Sequence, residues 1–315
     1  MKSNNIAMRD VYGQELLRLG EENLRLTVLD ADVSSSTRTS YFGEKYPERF
    51  FNVGVSEANM VDVAGGLALG GLIPIVNTFA VFLTLKATEQ IRNVICYNKL
   101  PVILVGSYAG LSDSYDGASH QSIEDIAIMR TMPHLNVIVP ADVIEMQQAL
   151  RQAMSLNKPV YLRICRNPTP VLFENDEPYS FGKIRKVKKG SDITIAACGI
   201  PVSMAMEAAT ELEVAGISVE ILNISTIKPL DEKALVDSVK KTKRIITVEE
   251  HSIIGGLGSA VAEVLVKNFP VPMEFVGIED KFTETGSYPE LLEKYKISKE
   301  SIIEKVKSLV LHHFF

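Results

Sequence analysis

Five groups of residues in this chain have types and spacings that could do chemistry. In NVGVSEANM, residues 52–60, the apolar run Val53 to Val55 leads through Ser56 to Glu57, and a small-residue helical pattern, Val61 to Leu72, follows. A carboxylate there either decorates a helix start capped by Ser56, complementing the dipole, or is held in an apolar site to handle a proton. In SYAGLSDSYDGASHQS, residues 107–122, Asp116 and His120 lie in a segment long for a loop of a compact domain, and such loops are often functional. His120 is one of five histidines, two of which, His312 and His313, fall in the terminal tail. Its role is either chemical or a local hydrogen bond.

NTFAVF places Phe79 and Phe82 three apart after an apolar run, a spacing that serves core packing or a ring that stacks on a heteroaromatic cofactor. Arg9, Arg38, Arg163 and Arg166 are suited to bidentate phosphate binding, each being otherwise a surface charge; Arg166 stands out because it ends the strand PVYLRICR. The glycines of EEHSIIGGLGSA, residues 249–260, suggest a phosphate loop. GGLG matches neither GxGxxG nor a P-loop, so the expectation is a tight strand-to-helix turn, with His251 covering part of a domain surface.

Short runs rich in Val, Ile and Leu must position these groups. LRLTVLD, IPIVNT, PVILVG, NVIVP and PVYLRI alternate with amphipathic stretches such as MRDVYGQELLRLG, FLTLKATEQIRNVICYN, IEDIAIMRTM and VIEMQQALRQAM. Near-continuous apolar strands alternating with helices imply parallel sheets covered on both faces. The alternation pauses at Asn167 to Ser191, a proline-containing linker or edge hairpin with an acidic and then a basic cluster. A second series begins near Gly190 with DITIAACG and runs through SVEILNI, RIITVEE and MEFVGI. In parallel sheets ligands gather at the carboxyl ends of strands, where the loop 107–122 begins.

The 315 residues are too many for one ordinary core, which sets roughly two domains as the prior. A net charge of −6 argues against nucleic acid as the main partner. Cys96, Cys165 and Cys198 form no CxxC pair and are expected as buried reduced thiols of a cytoplasmic protein. The N-terminal MKSNNIAMRD lacks the apolar core of a signal peptide. The uncharged stretch Ala64 to Leu85 is punctuated by glycines, Pro74 and Asn77, and reads as helix, turn, buried strand and new helix rather than a membrane span.

Taken in order, GVSE before a small-residue helix, NTF, DGASHQ followed by IEDIA, and a strand ending in arginine resemble the pyrimidine-binding domain of transketolase; VEEHSIIGGLGSAV resembles its C-terminal domain. The resemblance covers nearly the whole chain. It implies an α/β fold of two parallel-sheet domains: a pyrimidine-binding domain over 1–170, a linker over 171–190 and a C-terminal domain over 191–315. By the resemblance, Glu57 is the glutamate that presents a proton to the aminopyrimidine ring of thiamine diphosphate and favours its imino tautomer. That role asks for a desolvated carboxyl, and Val53, Val55, Met60 and Val61 are the expected apolar flanks. Phe79 is the ring that stacks on the pyrimidine, with Phe82 nearby, and Asp32 lies near the thiazolium. Asp116 and His120 bind hydroxyls of the donor sugar, so Glu57 and His120 are the catalytic candidates. Ser36 and Arg166 hold the sugar phosphate, with Arg9 as a third. Tyr108 stands where many transketolases have a second substrate histidine, a departure that bears on donor preference.

No GDG motif occurs, although that motif and a downstream Asn hold the Mg²⁺ and diphosphate in this family. The expectation is therefore the C-terminal subunit of a split transketolase of the pentose phosphate type. An N-terminal partner subunit would carry the Mg²⁺ and diphosphate site, in a heterotetramer or around a dimer of this chain, and this chain would hold no metal itself. The implied reaction moves a two-carbon ketol unit from a ketose phosphate to an aldose phosphate. The nearest rivals are the β subunit of a thiamine-dependent 2-oxoacid dehydrogenase, a deoxyxylulose-phosphate synthase-like enzyme and a non-catalytic scaffold. DGASHQ favours a sugar over an oxoacid.

Overall fold

The computed structural model describes residues 5–311; His312 and His313 lie outside the described residues. The strands in chain order are β1 (Asn5–Ala7), β2 (Leu26–Asp30), β3 (Phe50–Asn52), β4 (Ile73–Phe79), β5 (Ile103–Ser107), β6 (Asn136–Ile138), β7 (Val160–Arg163), β8 (Pro168–Pro170), β9 (Arg185–Lys188), β10 (Ile193–Ala197), β11 (Val219–Asn223), β12 (Thr226–Lys228), β13 (Ile245–Ser252) and β14 (Met273–Ile278). A seven-stranded sheet has the order β12-β6-β7-β5-β4-β2-β3, and a five-stranded sheet the order β14-β13-β10-β11-β9. All pairings within these two sheets are parallel except β12 with β6 and β9 with β11. β1 and β8 form a separate antiparallel pair.

The strands of the larger sheet are apolar on both faces because both faces are covered. Leu29, Val76 and Leu104 enter one core cluster, while Val28, Ile75 and Ile103 enter another, as alternation along a pleated strand requires. The first of these clusters runs on through Cys198, Leu222 and Ile245, so the two sheets share one continuous interior. Cys96, Cys165 and Cys198 are buried and free.

Two elements differ from the sequence expectation. The short run Thr226–Lys228 follows a strand of the second sheet yet adds itself to the edge of the first, with Thr226 opposite Ile138. The stretch expected as one helix from Phe82 to Asn98 is broken. It forms Ala80–Lys86, then Thr88–Gln90, and then a π turn over Ile91–Cys96, with Ala87 leaving helical geometry at φ −112°. The break puts Lys86 at a helix end rather than mid-helix. The Ala64–Leu85 stretch resolves into helix, turn, strand and helix. Among the described residues no helix is long and apolar enough to cross a membrane.

Candidate active site

The carboxyl ends of the parallel strands put their following loops on one edge of the larger sheet. β2 leads into the loop carrying Asp32 and then the helical turn Ser34–Thr37 with Ser36, β4 ends at Phe79, β5 feeds the segment 107–122, and Arg166 follows β7. Register fixes the neighbours: Asp30 pairs with Asn77, and Phe79 with Ser107. The loop after β2 is tied down by Asp30, which is buried and accepts from Val33 N at 2.7 Å, Thr37 Oγ1 at 2.9 Å and Thr39 Oγ1 at 2.8 Å. Burial raises its pKa, against those hydrogen bonds. Asp32 and Tyr108, at the ends of β2 and β5, adopt left-handed backbone with φ of 65° and 60°. Such conformations cost on the order of 1–3 kcal/mol and cluster at functional sites.

Glu57 opens the helix Glu57–Leu69, and Ser56 makes no side-chain cap. Its side chain is 5% exposed, and its Oε1 accepts from Lys86 Nζ at 2.9 Å. Met60 and Val61 are fully buried beside it, as expected, but Val55 is 72% exposed and turns away. The expectation of a carboxyl sealed among apolar flanks is thus met on one side only, and the other partner is an ammonium. Lys86 also lies 4.2 Å over the Phe82 ring. The cause is spacing: Phe82 and Lys86, four apart on one helix, share a face.

Rings form the floor. Phe79 stacks on Tyr108 with centroids 4.4 Å apart and planes at 18°, and on Phe82 at 5.8 Å. His120 meets Phe82 edge-on at 5.1 Å, and its Nδ1 hydrogen-bonds Ser119 Oγ at 2.9 Å. Tyr108 is flanked by two guanidinium groups, Arg9 at 5.5 Å and Arg166 at 4.9 Å from its centroid. Arg9 also donates to the Tyr108 hydroxyl, which lies 3.4 Å from the Ser36 carbonyl oxygen. Arg166 donates to Asp113 at 2.8 Å and lies 3.9 Å from Asp116. One chain of contacts therefore joins Glu57, Phe82, Phe79, Tyr108, Arg9, Ser36, Arg166, Asp116 and His120. Asp32 stands apart, exposed and accepting from Asn52 Nδ2 at 3.1 Å.

The other arginines do different work. Arg38 pairs with Asp10 at 2.6 Å. Arg163 is buried and bonds Asp125 at 2.7 Å, Ser122 O at 3.2 Å and Glu250 O at 3.0 Å, which ties the loop to β13. Burial pushes the Asp125 carboxyl up, but Arg163 and His251 override it and hold it below its ordinary value.

Sequence reading missed three groups. Lys86 had no motif, since only the helix break and Glu57 locate it. Asp113 lies inside the loop 107–122, where no local pattern sets it apart from the other polar residues. Glu250 is buried at the end of an apolar strand, a place where a charge calls for a reason. It accepts from Leu111 N at 2.6 Å and Tyr288 OH at 2.7 Å, clamping the start of the 107–122 segment from the second domain. Gly110 is required there: its φ is +63°, and a Cβ would sit 2.8 Å from the Glu250 carboxyl carbon. From the same domain, Gly286 N donates to Ser114 O at 3.1 Å, and Glu284 O accepts from Gln121 Nε2 at 3.1 Å.

His251 corrects an expectation: it is fully buried rather than a surface cover, and its Nε2 accepts from Ala127 N at 3.3 Å. A histidine on a strand reads as exposed until a helix from the other domain is known to pack on it. The GGLG stretch makes a strand-to-helix turn in which Glu249 accepts from Leu257 N at 2.7 Å and Gly258 N at 2.8 Å. A carboxylate of the chain itself thereby takes the helix N-terminus that a phosphate would use.

Residues 4–171 match the family described as transketolase, pyrimidine binding domain, and residues 182–302 match transketolase, C-terminal domain. A chain of Methanocaldococcus jannaschii, provisionally named a transketolase C-terminal section, is 44% identical over 303 residues and covers 95% of both chains. The 6-deoxy-6-sulfo-D-fructose transketolase subunit SqwH of Clostridium sp. is 38% identical, over 94% of this chain and 92% of its own. A solved split gene transketolase, described as an inactive β4 tetramer, is 44% identical and superposes with a TM-score of 0.91, over 97% of this chain and 99% of its own.

Proposed function

This chain belongs to the transketolase family, with the pyrimidine-binding domain followed by the C-terminal domain, and from that premise we propose that it is the C-terminal subunit of a two-chain transketolase. In this reading it transfers a two-carbon ketol unit from a ketose phosphate to an aldose phosphate once an N-terminal subunit supplies the Mg²⁺ and diphosphate site. The observation that carries the reading is a buried carboxyl, Glu57, joined through Lys86 to a shelf of rings, Phe82, Phe79 and Tyr108, which His120 and Arg166 contact, with Asp116 beside Arg166.

The family depends on thiamine diphosphate, and the shelf fits the flat half of that cofactor. Phe82, only partly buried, and Phe79 stacked beside it supply aromatic surface, and Glu57 offers a carboxyl oxygen outside its bond to Lys86. Bound there, thiamine diphosphate would supply the electron sink for breaking a carbon–carbon bond next to a carbonyl. The chain's own residues do the rest. Lys86 pairs with one Glu57 oxygen, and the carboxyl would hand a proton to the ring nitrogen through the other. His120 and Asp116 bind sugar hydroxyls and fix the reacting carbon over the shelf. Arg9, Arg166 and Ser36 meet the phosphate, with Tyr108 packed between the two guanidinium groups.

The test is ketol transfer from xylulose 5-phosphate to ribose 5-phosphate by this chain together with an N-terminal transketolase subunit. Formation of a seven-carbon ketose phosphate is expected. Turnover of pyruvate in its place overturns the reading. One relative is named for a sulfonated ketose, so donors with a sulfonate terminus belong in the same assay.

A further inference from the structure

We propose that Asp113 sets which terminus the sugar site accepts, by competing with the substrate's anionic end for the Arg166 guanidinium. The inference rests on the transketolase reading, because it takes Arg166 as the group that meets the far end of the sugar.

Asp113 lies just after the turn Gly110–Ser112, and its side chain is wholly buried. Its Oδ1 takes Arg166 Nη1 at 2.8 Å, while its Oδ2 has no hydrogen-bond partner among the described residues. Asp116 brings a second carboxylate to the same nitrogen at 3.9 Å. Arg166 is 32% exposed beside Tyr108, so it meets the interior carboxylate and still presents part of its guanidinium to solvent. With both aspartates ionised, one guanidinium answers two negative charges and the trio carries a net charge of minus one. A dianionic phosphate arriving there meets repulsion and an arginine already engaged. A monoanionic or neutral terminus meets less of either.

Protonating Asp113 changes this balance. The trio becomes neutral, Oδ2 gains a hydrogen it can donate, and Arg166 is freed to present its fork to phosphate. Burial, reinforced by Asp116 and opposed by Arg166, pushes the Asp113 carboxyl up to about 7, so the change falls within the working range of an enzyme. Asp116 on the same loop and Arg166 beyond β7 are the charged groups facing it. Ser112 and Gln121, which bond nearby backbone and Arg166 N, are neutral.

The experiment measures KM for D-xylulose 5-phosphate and for unphosphorylated D-xylulose, in the complex with the N-terminal subunit, for the wild-type chain and Asp113→Asn. At pH 8 the ratio of the phosphorylated to the unphosphorylated KM should fall about tenfold or more in the variant, the lower end of the worth of a hydrogen bond to a charged group. An unchanged ratio, or a rise, overturns the proposal. Wild type gives a second arm that needs no variant. A sulfonate-terminated ketose keeps one negative charge throughout, and its KM should fall between pH 8 and pH 6; a flat profile overturns the proposal. If the wild-type complex turns over neither ketose, the transketolase reading itself has failed. Calorimetric titration of inorganic phosphate into the isolated chain then judges Asp113 alone: tighter binding by Asp113→Asn supports it, and equal binding overturns it.

Discussion

Replacing Glu57 with Gln separates a chemical role from a structural one. The substitution keeps the volume of a side chain only 5% exposed and removes its charge. The one ion pair lost is to Lys86, which is 46% exposed, so water screens the pair and its worth is that of a surface bridge, about 0–1 kcal/mol. The melting temperature should therefore move by no more than ~2–4 °C. Turnover should respond on another scale. Removing a positioned acid or base costs on the order of 10²–10⁴ in rate, or roughly 3–5 kcal/mol of barrier. The assay is steady-state ketol transfer by the reconstituted complex, read beside a thermal melt of the isolated variant. Lys86→Met is the control, since it removes the ammonium but leaves the carboxyl, and it should retain turnover. The reasoning is refuted if Glu57→Gln keeps turnover within fivefold of wild type, or if Lys86→Met loses as much as Glu57→Gln does.

Phe79→Ala should weaken cofactor binding in the complex by about three- to tenfold, the worth of one aromatic stack, read by fluorescence titration; unchanged affinity would remove Phe79 from the shelf. Asp125→Ala leaves Arg163 buried without its main partner and should destabilise the chain by ~3–5 kcal/mol, seen as a lower urea midpoint. A loss below 1 kcal/mol would mean that water or Glu250 replaces the pair. Burial, opposed by Arg163, Tyr288 and Leu111, holds Glu250 up at about 7 against an ordinary 4.5. Between those values the folded chain keeps a proton that the unfolded chain has released, so this group's stabilising share falls as pH rises from 4.5 to about 7 and is level above. Glu250→Gln should show a shallower decline of the urea midpoint across that window, and an unchanged slope would contradict the assignment.

Much of this was legible from composition along the chain. The runs LTVLD, IPIVNTF and ILVGS are apolar without alternation, which only a sheet covered on both faces explains, and they announced the α/β class. Glu57, Phe79 and the His120 loop were visible because each follows such a run, where the sheet delivers its loops to one edge. What escaped notice depends on partners distant in sequence. Thr226–Lys228 is too short to announce a strand, and its pairing with β6 comes from the packing of the two domains. Lys86 is placed by a helix break and by Glu57, Glu250 by Leu111 and Tyr288, and His251 by a helix of the other domain. Those relations have no local period for a pattern to reveal.

The most direct measurement is calorimetric titration of thiamine diphosphate with Mg²⁺ into this chain alone, and into this chain mixed with an N-terminal transketolase subunit. In the proposed function the ring shelf and Glu57 serve only the pyrimidine half of the cofactor, so tight, Mg²⁺-dependent binding is expected in the mixture and weak binding in the chain alone. Tight Mg²⁺-dependent binding by the isolated chain would contradict the division of one active site between two subunits.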